Sequence, residues 1–153
     1  MKITDFLTPS MIIPDLKGRE KREVLNEIAE WMAAQDPSLD ARKLFEILFE
    51  REKVSSTAIG EGVAIPHGKM PGMQGVSGLF ARSLPGVNFD SMDGAPTYLF
   101  FLLIAPENSA ADHLKALARI SRLLKNSEFR ARLMQVKTRE EIFKAISEED
   151  QKI

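Results

Sequence analysis

Histidine is the side chain whose ordinary pKa leaves a ring nitrogen partly free near neutral pH, and this sequence has two, His67 and His113. His67 stands in "STAIGEGVAIPHGK", Ser56 to Lys69, among three glycines, a proline and two hydroxyl side chains. As a nucleophile its imidazole would attack an electrophile such as a phosphoryl group. The surroundings suit that chemistry. Val63, Ala64 and Ile65 read as a short strand that Pro66 ends, so that His67 emerges where the ladder stops. Gly60, Gly62 and Gly68 allow backbone to come close to a bound group. Ser55, Ser56 and Thr57 offer hydroxyls, and Arg51 and Lys53 offer positive charge. A hydrogen-bonded loop histidine, with the glycines serving only as turns, fits the same local pattern.

Other chemistries of the segment fail on spacing. A P-loop requires four residues between its glycines and then Lys and a hydroxyl. Here five residues separate Gly62 from Gly68, and Met70 follows Lys69. The dinucleotide fingerprint lacks its third glycine, and its glycines precede the apparent strand instead of following it. No G-x-S-x-G elbow occurs. The absence of cysteine removes disulfides, thiolate metal sites and thiol nucleophiles. Zinc would need Asp112 or Glu61 to complete a site with the two histidines. His113 opens a helical stripe with Leu117, Ile120 and Leu124, which places a polar ring at a core-facing position of the first turn. There it either bonds a carbonyl or meets an anion at the positive end of the helix.

The whole chain is ordinary for a globular protein of 153 residues, with 44% hydrophobic and 28% charged side chains. A net charge of −1 gives no general attraction for nucleic acid or an anionic membrane. The longest apolar run, "YLFFLLIA", is far short of the ~20 residues a membrane span needs, and the N-terminus carries no signal-peptide pattern. These features predict a cytoplasmic protein with no membrane insertion, folded as one domain over residues 1–153.

Hydrophobic spacing predicts a helix from about 19 to 34 and a second, capped by Asp40, to about 52. "VSGLFARS" and the uniformly apolar "TYLFFLLIA" read as strands, the latter buried on both faces. Helices follow in "PENSAADHLKALARISRLLK", capped by Asn108 or Ser109, in "NSEFRARLMQV", and in "TREEIFKAISEED", where Thr138 and Glu141 have capping-box spacing. Helices, strands and helices in that order predict an α/β fold with a central sheet flanked by helices.

The stretch "REKVSSTAIGEGVAIPHGK" resembles the active-site signature of IIA domains of the phosphoenolpyruvate-dependent phosphotransferase system, fructose/mannitol class, and its stand-alone nitrogen-regulatory branch in particular. The resemblance extends to the opening "ITDFLTPSMI", the aromatic strand and the helix bearing the second histidine. It implies a mixed sheet flanked by helices. It further implies a phosphohistidine carrier in which His67 accepts the phosphoryl group from the carrier protein HPr or its nitrogen-branch counterpart. The phosphate is then expected on Nε2, with Nδ1–H held by a backbone carbonyl. By the same resemblance His113 and Arg51 are active-site residues, while Ser56, Thr57 and Lys69 are phosphate-binding. No metal or cofactor is implied. The implied downstream partners are regulatory targets such as sensor kinases or ion transporters, or a separate IIB protein in the sugar-transport alternative. The regulatory role is the favoured expectation on the strength of that resemblance; the lack of a cysteine, second domain or membrane span in the chain only permits it. Ala58 stands where the family usually has glycine, and would be strained if that position needed φ > 0. Glu61 is expected to face solvent or orient a cation. A zinc hydrolase and an interaction module that never carries phosphate are the two readings from other classes.

Overall fold

A computed structural model describes residues 1–153. Helix α1 (Lys21–Gln35) buries Val24, Leu25, Ile28, Ala29 and Met32, the residues whose spacing predicted it. Helix α2 (Ala41–Val54) starts at Asp40, whose carboxylate accepts from the amides of Arg42 and Lys43. This cap satisfies two of the donors a helix start leaves open. The two helices pack on each other, and α2 also lies against the strand that carries His67.

The sheet is mixed. Its strands are β1 (Ile12–Ile13), β2 (Ala58–Gly60), β3 (Val63–Ala64), β4 (His67–Lys69), β5 (Ser77–Val87) and β6 (Thr97–Ala105). The order is β1-β5-β6-β3-β2, with β4 also on β6. Strand β6 is the axis of the sheet. It pairs antiparallel with β5 along one edge and parallel with β3 and β4 along the other. Every residue of β6 except Tyr98 is buried, as its unbroken apolar sequence requires.

Three sequence expectations change here. Pro66 does not end the ladder. It has no N–H to contribute, but its carbonyl accepts from Leu103 N at 3.0 Å, so pairing resumes and His67 lies within β4, opposite Leu103. Strand β5 runs beyond Ser83 to Val87, because a register shift between Arg82 and Val87 accommodates Pro85. The glycine-rich segment also contains β2, which forms a hairpin with β3. Its turn, Gly60-Glu61-Gly62, has positive φ at all three residues, 88°, 56° and 74°.

Helix α3 (Ala110–Leu124) packs on β6 and buries His113, Ala116, Ile120, Leu123 and Leu124. Asn126 caps α4 (Ser127–Gln135). The Thr138–Glu141 capping box starts α5 (Arg139–Lys152). No helix is long and apolar enough to cross a membrane.

Candidate active site around His67

Three elements form the surroundings of His67. Strand β4 supplies His67 and Lys69, the C-terminal turn of α2 supplies Arg51, and the first turn of α3 supplies His113. These side chains line one open depression of about 520 Å³, together with apolar Ile47, Leu114 and Leu117. Gly68 admits α2 to this close range. A Cβ at that position would lie 2.8 Å from Ile47 Cγ2.

The ring of His67 is held by a single polar contact. Nδ1 lies 2.8 Å from the carbonyl oxygen of Ile65. A carbonyl only accepts, so Nδ1 carries the hydrogen and the neutral ring keeps its lone pair on Nε2. The ring of His113 stands nearly perpendicular, 82° between planes, with centroids 5.6 Å apart. Its Nε2 is buried and has no hydrogen-bond partner, and the residue as a whole is only 7% exposed. Burial first, then the neighbouring His67 and Lys69, push the His113 pKa below the usual imidazole value. A buried ring nitrogen without a partner is costly in the resting protein. Ser109 occupies the N-cap position of α3, but its hydroxyl caps no amide.

Residues 5–149 match the family described as "Phosphoenolpyruvate-dependent sugar phosphotransferase system, EIIA 2". The chain belongs to that family. Among its relatives, a nitrogen regulatory protein of Bradyrhizobium diazoefficiens is 46% identical over 147 residues, 96% of this chain and 95% of that protein. The PTS system fructose-specific EIIABC component of Bacillus subtilis is 36% identical over 98% of this chain, which spans 24% of that protein. The crystal structure of nitrogen regulatory protein IIA-Ntr from Neisseria meningitidis superposes with a TM-score of 0.87. It is 35% identical and covers 94% of this chain and 98% of that one.

In this EIIA 2 chain the residues expected around His67 divide into two groups. His67, His113, Arg51 and Lys69 share the depression; Ser56 and Thr57 do not line it. Ser56 Oγ donates to Phe89 O at 2.9 Å and accepts from Ala58 N. Thr57 is buried, and its hydroxyl donates to Glu52 Oε2. Both hydroxyls are thus occupied in holding the loop after α2. Arg51 shares this work, since Nη1 donates to Ser55 O at 3.0 Å.

Ala58 is unstrained, because it is absent from the positive-φ residues and pairs with Ala64 in the β2–β3 hairpin. Glu61 is exposed and stands 3.6 Å from Arg130, outside the depression. No three His, Asp or Glu side chains come together as metal ligands, so neither Asp112 nor Glu61 joins the histidines in such a cluster. Sequence reasoning gave no role to Glu52, although it adjoins Arg51 in the signature. Its carboxylate is the buried acceptor on which the loop is built.

Proposed function

We propose that this IIA chain, acting as one unit over residues 1–153, is a phosphohistidine carrier. It takes a phosphoryl group onto Nε2 of His67 from the phosphohistidine of HPr or a nitrogen-branch counterpart. The observation that carries this reading is the 2.8 Å contact between His67 Nδ1 and Ile65 O. It leaves Nε2 as the nucleophile in a ring that shares its depression with two cationic side chains and an unpartnered imidazole. In the transfer, the Nε2–P bond forms as the donor's P–N bond breaks. The donor ring, protonated on its second nitrogen, leaves as neutral imidazole, while His67 keeps its Nδ1 proton. Positioning and charge stabilisation supply the catalysis, with Arg51 and Lys69 facing the phosphoryl oxygens and His113 giving them a hydrogen bond. The apolar rim of Ile47, Leu114 and Leu117 suits docking of a protein donor, and 67% exposure of Leu114 leaves it ready to be covered.

The downstream role we favour is nitrogen-linked regulation, in the cytoplasm, through targets such as sensor kinases or ion transporters. Its support is the likeness to nitrogen regulatory proteins along nearly their whole length. There the phosphoryl group would act as a switch by changing the charge of the depression. The second reading, a IIA component handing phosphate to a separate IIB protein in sugar uptake, draws on the likeness to the fructose-specific protein.

Incubation with phosphoenolpyruvate, enzyme I and either donor, followed by intact-mass measurement at alkaline pH, tests the carrier reading. One acid-labile phosphate is expected, lost in His67→Ala and diminished in His113→Ala. Folded protein that gains none from active donors refutes it. Rapid passage of that phosphate to a IIB protein would favour sugar uptake over regulation.

A further inference from the structure

The rim of the depression and the two histidines belong to the site already described, but a second, buried set of polar groups reaches His67 from the opposite direction. Glu52, with its side chain 1% exposed, faces Lys21 Nζ of α1 at 3.2 Å. The same carboxylate accepts from Thr57 N at 3.0 Å and from Thr57 Oγ1. The carbonyl of Thr57 accepts from Ile65 N at 3.0 Å. The carbonyl of Ile65 in turn accepts from His67 Nδ1. Lys21 is braced by Asp90 at 3.5 Å and by the ring of Phe89, whose carbonyl receives the Ser56 hydroxyl.

We infer that Lys21, Glu52 and Thr57 form a positioning chain that selects the tautomer of His67 by setting the place of the Ile65 carbonyl. The physical reason is that an imidazole in water favours the other tautomer, with hydrogen on Nε2 and no lone pair where phosphoryl transfer needs one. A carbonyl held at Nδ1, as Ile65 O is at 2.8 Å, reverses that preference by accepting from Nδ1–H. The Ile65 carbonyl stands in the Val63–Pro66 stretch, whose other side is tied to β6. On the near side its residue is tied to Thr57, and Thr57 is tied through both its amide and its hydroxyl to a buried carboxylate that Lys21 holds in turn. A buried ion pair is weak support for stability by itself, and its best-attested use is to specify one arrangement among several. None of the three residues lines the depression, so they act through His67 and touch no substrate.

The tautomer can be read without any phosphoryl donor, although its consequence for transfer rests on the carrier reading above. Nitrogen-15 NMR of the His67 ring at about pH 9, well above the ordinary imidazole pKa of about 6.5, distinguishes protonated from lone-pair nitrogen. The wild type is expected to hold hydrogen on Nδ1. Thr57→Val keeps the shape and loses the hydroxyl, and should give a mixture of tautomers. Thr57→Ser, which restores the hydroxyl, should return the single form. The phosphorylation rate should fall in proportion to the competent fraction, roughly fivefold if that fraction drops to about one fifth. If Thr57→Val does not fold, Glu52→Gln carries the same comparison.

A folded Thr57→Val or Glu52→Gln protein with the wild-type tautomer and lower thermal stability alone would overturn the inference. A wild type that shows the expected tautomer yet takes no phosphate would sink the carrier reading and leave the positioning chain standing.

Discussion

Loading a phosphoryl group onto His67 should raise the pKa of His113 by about 2 units, and the size of that effect follows from the ring separation. In the resting protein His113 is held below the ordinary value by burial, then by His67 and Lys69. A phosphoryl group adds roughly −1.5 to −2 charge, partly offset by the proton that His67 Nδ1 retains, so about one net negative charge arrives. At the 5.6 Å centroid separation and an effective dielectric constant of about 20, one unit charge is worth about 3 kcal/mol. That corresponds to about 2 pKa units. The buried Nε2 of His113, which has no partner at rest, would then carry a proton and donate it toward the phosphoryl oxygens. Proton uptake and phosphate uptake are thereby linked. Between the resting and the loaded pKa values, lowering the pH should increase the loaded fraction at a fixed donor ratio. Above both values and below both, pH should have no such effect through this group. An NMR titration of the His113 ring in unphosphorylated and phosphorylated protein measures the shift directly, and His113→Gln should remove the linkage. A rise smaller than about 0.5 unit, below 1 kcal/mol, or a fall, would refute the electrostatic reasoning.

The resting protein offers a separate pH test. Because burial depresses the His113 pKa, the unfolded chain binds more protons as pH falls below about 6.5. His113 should therefore lower stability as pH falls from there to its folded value, with no further loss below it. Urea midpoints of wild type and His113→Gln should diverge over that window. Arg51→Met should slow phosphoryl uptake by roughly 10- to 100-fold, the equivalent of about 1.5–3 kcal/mol for a charged hydrogen bond, as single-turnover kinetics would show. Asp40→Ala should destabilise the protein by about 1 kcal/mol through loss of the α2 cap. Phe101→Ala should cost about 3–5 kcal/mol, since the ring is fully buried between Phe6 and Phe80. Chemical denaturation measures both.

Local physics made much of the fold readable. Asp40 before an apolar stripe, and Thr138 three residues before Glu141, mark helix starts because capping involves only neighbours a few residues away. The nine residues of β6 announce burial on both faces without help from the rest of the chain. Pro66 misled because its missing N–H is a local fact, whereas the use of its carbonyl depends on where Leu103 arrives. Strand β5 runs past the apolar segment that marked it because the register shift spanning Pro85 exists only in the pair formed with β6. At the site, the signature in the sequence contains Arg51, Ser56, Thr57 and His67 with no sign of which face each will take.

Composition, spacing and resemblance by themselves determined the class of fold, the helix starts, the strand that anchors the sheet, and the segment around which the candidate chemistry gathers. The tertiary structure alone decided which groups meet. His113 stands beside His67 because α3 packs on β6 while β4 pairs with the same strand. Thr57 faces Glu52 instead of the depression because the end of α2 closes over the loop that follows it. Helix caps and apolar stripes are short-range choices, made among neighbours within one or two turns. The partner of a buried hydroxyl or ring nitrogen is settled by unsatisfied groups that only the packed chain brings within reach.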